Sequence, residues 1–439
     1  MNRLALLCAA AIAPALALVA SPAAAQSVAI TNAKLVIGDG SAPIEGGTVV
    51  IQGGRVTAAG KGVAVPPGIE VVDAGGKYVT PGIVAGFTRM GIVEVDGVDQ
   101  TNDSGANGSP FHAAIDVAPA VNPRTSAIAL NRAEGITRAI VAPEARGSIF
   151  AGRGAVIRLA AAGDPVSRPR AFQFMEYGES GAGAAGGSRP AAIAAFRNAL
   201  AQARDYARAP AAYPDNGRDA LLNRADAAAL QGVVMGREPL LIHVERASDM
   251  LALIALRKDY PLIKMVFVGA AEGWMVAREL AAAKVPVIAS ALDDLPESFE
   301  KLAATQSNVG RMKAAGVVVG IGTINDNDAR QARLEKQYAG NLVGVSRVPG
   351  ATGLDWNSAF AAITSKTAQA IGMDDEIGSL RAGRRGDVVI WSGDPLELDS
   401  VATKVFIDGV NETLYTRQAD LLKRYRQPQE GALPKAYER

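Results

Sequence analysis

Thiols, imidazoles and aromatic rings are all scarce in this 439-residue chain. It has one cysteine, two histidines and 5% aromatic residues. The lone Cys8 excludes an internal disulfide and any site built from paired thiolates. A surplus of one charge is also missing. Lys plus Arg number 45 and Asp plus Glu 44, so the chain has no net electrostatic footprint for nucleic acid or an anionic membrane. Beyond residue 25 no apolar run is long enough to span a bilayer. There is no Gly-X-Ser-X-Gly turn and no phosphate-cradling glycine loop ending in Lys-Ser or Lys-Thr.

What is present points to a large packed core. Hydrophobic residues make up 49% of the chain and charged residues 20%, which excludes a disordered protein. Arg3, an apolar run over residues 4–20 and Ala23-Ala24-Ala25 before Gln26 read as a cleavable export signal, with cleavage after residue 25. Cys8 lies inside it. The expectation is a neutral mature protein in a bacterial periplasm or secreted, with no membrane attachment after cleavage.

Residues 28–80 read as short strands, with a two-residue hairpin at Gly53-Gly54. The middle alternates short apolar β-branched runs (83–87, 137–141, 155–159, 240–244, 263–268, 285–288, 317–321) with Ala-rich helical stretches (191–207, 218–232, 248–258, 274–283, 308–315). Such alternation predicts buried parallel strands in a βα architecture. Residues 355–371 read as one amphipathic helix, and short strands return at 387–391, 401–407 and 412–415. Residues 178–189, rich in Gly and Ala, read as disorder in preference to a lid. The polar loop 96–110 follows the first barrel strand, on the face where such folds keep their function.

Three stretches resemble the amidohydrolase superfamily, closest to its imidazolonepropionase-like branch. They are Ile30-Thr31-Asn32-Ala33 through Gly53-Gly54-Arg55-Val56 to Thr80-Pro81-Gly82; Leu241-Ile242-His243-Val244-Glu245; and Thr367-Ala368 through Gly378-Ser379-Leu380 to Gly386-Asp387-Val388. The resemblance implies an α/β fold: a distorted TIM (β/α)8 barrel inserted into a small β-sandwich made from both chain termini. Its expected parts are a sandwich portion at 26–80, a barrel at 81–375 and a second sandwich portion with a tail at 376–439. It also implies a hydrolytic centre with one or two divalent metals such as zinc, and it makes a homodimer the family expectation.

The ligand positions implied by that resemblance are mostly replaced. Ala85, Phe87 and Arg89 stand where Asp-X-His-X-His is expected, Gly269 at the strand-six His, and Ile324 at the strand-eight Asp. Only His243, on strand five, matches; the strand-four ligand is not assignable. A guanidinium cannot ligate a metal and repels a dication. The mature chain holds only His112 and His243, against the four histidines of the family's two-metal centre. The expectation is that no metal cofactor binds and that the mouth is a ligand pocket of Phe87, Arg89, His243, Gly269, Ile324 and Asp326.

Each of these residues also has a plainer reading. His243 is either a hydrogen-bonded remnant or an acid-base group, and His112 a loop-packing residue. Arg89 either forms an internal salt bridge, with Glu176, Glu179, Asp326 or Asp328 as anion, or binds a substrate carboxylate. Asp326 is the other candidate for residual chemistry, with Asp328 beside it, although both fit a polar loop. Glu245 and Asp249 are expected at the barrel rim, Asp293-Asp294 in solvated loop, and the segment 147–154 in a pocket-lining loop. Two functions stay open. One is a non-catalytic protein that binds a small molecule or peptide in the barrel mouth or partners a catalytically intact paralogue. The other is a hydrolase of C–N bonds other than peptide bonds, or of peptides or cyclic amides, with an atypical mononuclear or metal-free site.

Overall fold

The computed structural model describes residues 27–214, 221–324 and 329–426. The expected signal at 1–25, Cys8, Asp326 and Asp328 lie outside these residues. The chain opens with β1 (Val28–Leu35), β2 (Ile44–Gln52), β3 (Arg55–Lys61), β4 (Glu70–Asp73) and β5 (Tyr78–Pro81). Gly53 and Gly54, at φ 59° and 76°, supply the left-handed pair that a tight hairpin between β2 and β3 requires.

Eight strands then form the barrel: β6 (Ile83–Thr88), β7 (Ile136–Val141), β8 (Phe150–Arg158), β9 (Val166–Glu176), β10 (Leu240–Val244), β11 (Met265–Gly269), β12 (Val287–Ser290) and β13 (Val319–Gly322). They neighbour one another in chain order. At the seam Gly86 lies so close to the Ile321 carbonyl that a Cβ there would collide with it. A bare backbone therefore brings β6 against β13.

Three expectations are corrected here. The strands are not all parallel, because β8 runs antiparallel to both β7 and β9. The segment from Phe150 to Gly154 is strand, not loop, and Gly154 makes room for the Phe172 ring. β9, whose Arg168-Pro169-Arg170 start breaks the apolar pattern, was not foreseen. Nor is residues 178–189 a disordered stretch. Gly178–Ala184 is helical, and the Glu300 carboxylate accepts the Glu179 backbone N–H at 2.7 Å, satisfying one of the free donors of its first turn.

The helical stretch 355–371 is two helices, Trp356–Ala362 and Ser365–Ala370. They part where the Thr364 and Ser365 hydroxyls donate to the Gly38 carbonyl. Of the helix expected over 218–232, the described part begins at Arg224. The chain returns to the first sheet through β14 (Val388–Trp391), β15 (Ala402–Ile407) and β16 (Val410–Asn411); β16 replaces the strand expected over 412–415. Sheet order is β16-β15-β14-β5-β1-β2-β3, with β4 alongside β1. Both chain ends thus build one sheet separate from the barrel, with its own core around Ile30, Leu35, Ile51 and Phe406.

Inside the barrel Val84, Phe172, Phe174, Leu241, Val266 and Val268 close the interior. Each such buried side chain contributes about 1.5–3 kcal/mol. This plug separates the mouth, at the C-terminal ends of β9–β12, from the floor at their N-terminal ends.

Candidate functional site

Strand geometry brings the site together. Glu176 ends β9, and His243 lies directly beside it on β10. Glu245 follows His243 by two residues, which places both on one side of an extended chain. The imidazole Nδ1 lies 2.6 Å from Glu176 Oε2 and Nε2 lies 3.1 Å from Glu245 Oε1. Glu245 is 1% exposed; its Oε2 accepts the Ala271 N–H at 2.7 Å. Lys301 Nζ approaches Glu245 Oε1 at 3.4 Å and Asp293 Oδ2 at 3.2 Å, and Ser290 donates to Asp293 at 2.8 Å.

The electrostatics follow from this packing. Burial alone would lower the His243 pKa, but the Glu176 charge, its hydrogen bond and the contact with Glu245 outweigh burial. The imidazole is held well above its ordinary range and is protonated at neutral pH. Burial pushes Glu245 up, while His243, Lys301 and the Ala271 N–H bring it below the usual carboxylate value. Burial would lower Lys301, and Glu245 and Asp293 raise it instead. The cluster is an alternation of cations and carboxylates that neutralise one another.

Arg89 stands apart from this cluster. Its guanidinium lies over the Phe87 ring at 4.9 Å and 6.0 Å from the Phe174 centroid; the two rings meet edge to face at 5.1 Å. Nη1 is buried without a hydrogen-bond partner. Burial lowers the Arg89 pKa, offset in part by the charges of Glu176, Glu144 and Asp96. Neither Glu176 nor Glu179 supplies the expected salt bridge: among the described residues no carboxylate lies within 4.0 Å of it, because Glu176 turns to His243 and Glu179 is exposed, while Asp326 and Asp328 lie outside the described residues. A cation over an aromatic face is stabilised without a counter-charge.

Of the expected pocket residues, the structure brings His243 and Gly269 to one cluster and Phe87 and Arg89 to the adjoining wall. Ile324 packs against the barrel interior, and Asp326 lies outside the described residues. His112 takes no part; it lies in a loop whose backbone N–H groups at His112 and Ala114 bond Asp226. Three expectations fail on burial. Glu245 and Asp249 are interior, not rim, with Asp249 paired to Arg189 at 2.7 Å and Arg246 at 2.6 Å. Asp293 is tied to Ser290 and Lys301, and only Asp294 is exposed loop. Lys301 gave no signal in sequence, since it lies in a loop without periodicity. Glu245 had one, its two-residue spacing from His243.

The donor set bears on the divalent ion that the resemblance implies. Among the described residues no three His, Cys, Asp or Glu side chains are placed to share an ion. The one imidazole has both nitrogens committed to carboxylates, and the Lys301 ammonium already contacts Glu245. Phe87 and Arg89 offer no lone pair. The described residues do not fit a hydrolytic metal.

Comparison with known proteins agrees with the fold. A model described as Amidohydrolase family matches residues 245–416. Amidohydrolase tasK of Hapsidospora irregularis is 24% identical over 377 residues, covering 79% of this chain and 37% of that protein. A 5-methylthioadenosine/S-adenosylhomocysteine deaminase of Desulforudis audaxviator is 38% identical over 99 residues, covering 22% of this chain and 23% of its own. The chain thus spans well under half the length of the curated relatives it matches. Among solved structures, an amidohydrolase from Thermotoga maritima superposes with a TM-score of 0.77 at 22% identity, covering 89% of this chain and 100% of that one. Molinate hydrolase superposes at 0.54 with 18% identity, covering 93% and 98%. Residues 245–416 are thus similar to the amidohydrolase family, and the chain shares its fold with amidohydrolases of known structure.

Proposed function

We propose that this chain is a binding member of the amidohydrolase superfamily, whose barrel mouth takes a small anionic molecule or peptide carboxylate without a divalent metal and does not perform metal-assisted hydrolysis. One observation carries the reading: both nitrogens of His243 are engaged by carboxylates, at 2.6 and 3.1 Å. An imidazolium so held has no lone pair for a metal or for a substrate proton. Arg89 supports the ligand side of the reading. Its buried, unpartnered Nη1 offers a carboxylate the charge-assisted hydrogen bond that the protein itself leaves unmade.

The names of relatives favour a second reading. A deaminase is among them, which suits hydrolysis of a C–N bond at an atypical mononuclear or metal-free site. Two sequence expectations accompany the first reading: export to a periplasm, and pairing with a catalytically intact paralogue or a second copy.

The test is metal analysis of the protein purified without chelators, joined to thermal-shift titration with small carboxylates. We expect zinc, manganese and iron well below one equivalent per chain, and a carboxylate-induced rise in melting temperature that Arg89→Leu abolishes. One equivalent of metal, lost in His243→Ala, overturns the reading in favour of the hydrolase.

A further inference from the structure

At the opposite end of the barrel from His243, a cavity of about 650 Å³ opens beneath the starts of β10, β11 and β12. Its wall carries Arg168, Arg170, Arg237, Arg257, Lys264 and Lys284 against a single carboxylate, Glu238. In a chain with nearly equal numbers of acidic and basic groups, six cations around one concavity is a local excess that the composition does not require. We propose that this floor cavity is a second binding site, for a small anion bearing two or more phosphate groups.

The excess survives a pairing census. Glu238 is committed elsewhere, 3.4 Å from Arg153 Nε. Arg170 pairs with Asp116 at 2.7 Å and Arg168 approaches Glu376 at 3.9 Å. Arg257 donates to the Ala283 carbonyl, which leaves its charge uncompensated. Arg237, Lys264 and Lys284 have no ion pair among the described residues. Like charges sharing a concave wall repel one another and focus a positive potential into it. A multiply charged anion removes that repulsion, and the cavity volume falls in the range of small-molecule sites.

The backbone supplies a second observation. Arg170 and Lys284 adopt φ of 49° and 51°, a left-handed conformation unfavourable for side chains with a Cβ. Two of the strained non-glycine residues therefore lie on this one wall. Strain of this kind persists where the surroundings impose it and clusters at ligand sites. The wall carries no aromatic ring, so the site reads charge and not a base. Guanidinium forks and ammonium groups together match phosphate oxygens. The apolar plug of Phe172, Phe174 and Leu241 separates this floor from the mouth, so the two sites are independent.

The experiment is calorimetric titration of the full chain with tripolyphosphate at about 0.15 M salt, where long-range attraction between exposed charges is largely screened. One site per chain is expected. Lys264→Gln and Lys284→Gln should each weaken it about tenfold, the loss of one charge-assisted contact. Lys61→Gln, on the remote strand β3, should leave it unchanged. Both floor lysines are exposed, and melting curves verify that each variant folds; Arg237→Gln replaces either one that does not. Absence of saturable binding overturns the proposal. So does equal weakening by Lys61→Gln, which marks nonspecific attraction. Binding to phosphatidylglycerol vesicles with no response to tripolyphosphate overturns it in favour of a membrane contact.

Discussion

Glu245 occupies the space that a side chain at position 269 would need. A Cβ on Gly269 would lie 2.5 Å from Glu245 Oε1 and 2.7 Å from Cδ. The strand-six position, where a histidine was expected by resemblance, has thus been given over to a strand-five carboxylate that holds His243. Gly269 also has φ of 88°, which alone disfavours any other residue. Gly269→Ala should destabilise the protein by about 2–3 kcal/mol, a collision added to backbone strain. In a Glu245→Ala background the collision disappears and about 1 kcal/mol of strain should remain. Urea unfolding of the four proteins measures this coupling. An equal cost of Gly269→Ala in both backgrounds would refute it.

The His243 network predicts a pH signature. Its imidazole is raised in the folded state by Glu176 and Glu245, despite opposing burial. A raised pKa means stability that is fully present below the unfolded value, about 6.5, and lost as pH rises through the folded value. Glu245, lowered in the fold, contributes the opposite limb: its stabilisation is present above about 4.5 and is lost as pH falls through its folded value. The difference in unfolding free energy between wild type and His243→Asn should therefore shrink on the alkaline side, starting above pH 6.5. A difference independent of pH from 6 to 9 would show that the imidazole is neutral and free.

Much of the architecture was legible from short-range pattern. The Gly53-Gly54 hairpin, the apolar runs of the barrel and the return of strands at the C-terminal end depend on local geometry, and each lies close to its expected place. β9 was missed because its first half is polar and exposed, and the antiparallel course of β8 because strand direction leaves no trace in periodicity. At the site, the loss of the family ligands could be read residue by residue at Phe87, Arg89 and Gly269. The replacement could not. Lys301 reaches Glu245 from a loop 56 positions further along, and Glu176 was read as a counter-ion for Arg89 before β9 placed it beside His243. Long-range pairing of charges is set by the packed fold and has no local signal.

Glu335 is a buried acid with half its hydrogen bonds. It is 0% exposed; Oε1 accepts the Gly86 N–H at 3.1 Å and Oε2 has no partner. Burial raises its pKa well above the carboxylate range, opposed only by that N–H, so the side chain is carried as the neutral acid. Because the folded pKa is the higher one, Glu335 costs increasing stability as pH rises from about 4.5 toward the folded value. Glu335→Gln keeps an acceptor for Gly86 and removes the ionisation. It should match wild type near pH 4.5 and be the more stable protein at pH 8, as read by melting temperature. A variant less stable than wild type at pH 8 would show that the carboxylate is charged and paired.

Arg138 fastens the barrel to the terminal sheet. It is 1% exposed on β7, with Nε 2.7 Å from Asp387 Oδ2 and Nη2 2.9 Å from Asp387 Oδ1 and 2.7 Å from Asp408 Oδ1. Asp387 also accepts the Asp408 backbone N–H at 2.9 Å. Burial alone would lower the guanidinium pKa, and the two carboxylates raise it instead. Removing the cation strands the Asp387 charge out of water, while Asp408 keeps Arg158 and Arg385 at 3.4 Å, so Arg138→Met should cost about 3–5 kcal/mol. Arg138→Lys should recover only part of this, because an ammonium cannot reproduce the two-pronged contact with Asp387. Adding Asp387→Asn to Arg138→Met should restore stability, since the penalty arises from the unpaired anion and not from the missing attraction. Denaturant unfolding distinguishes these cases. If Arg138→Met stays within about 1 kcal/mol of wild type, the two sheets are joined by apolar packing alone and the ion pair is incidental.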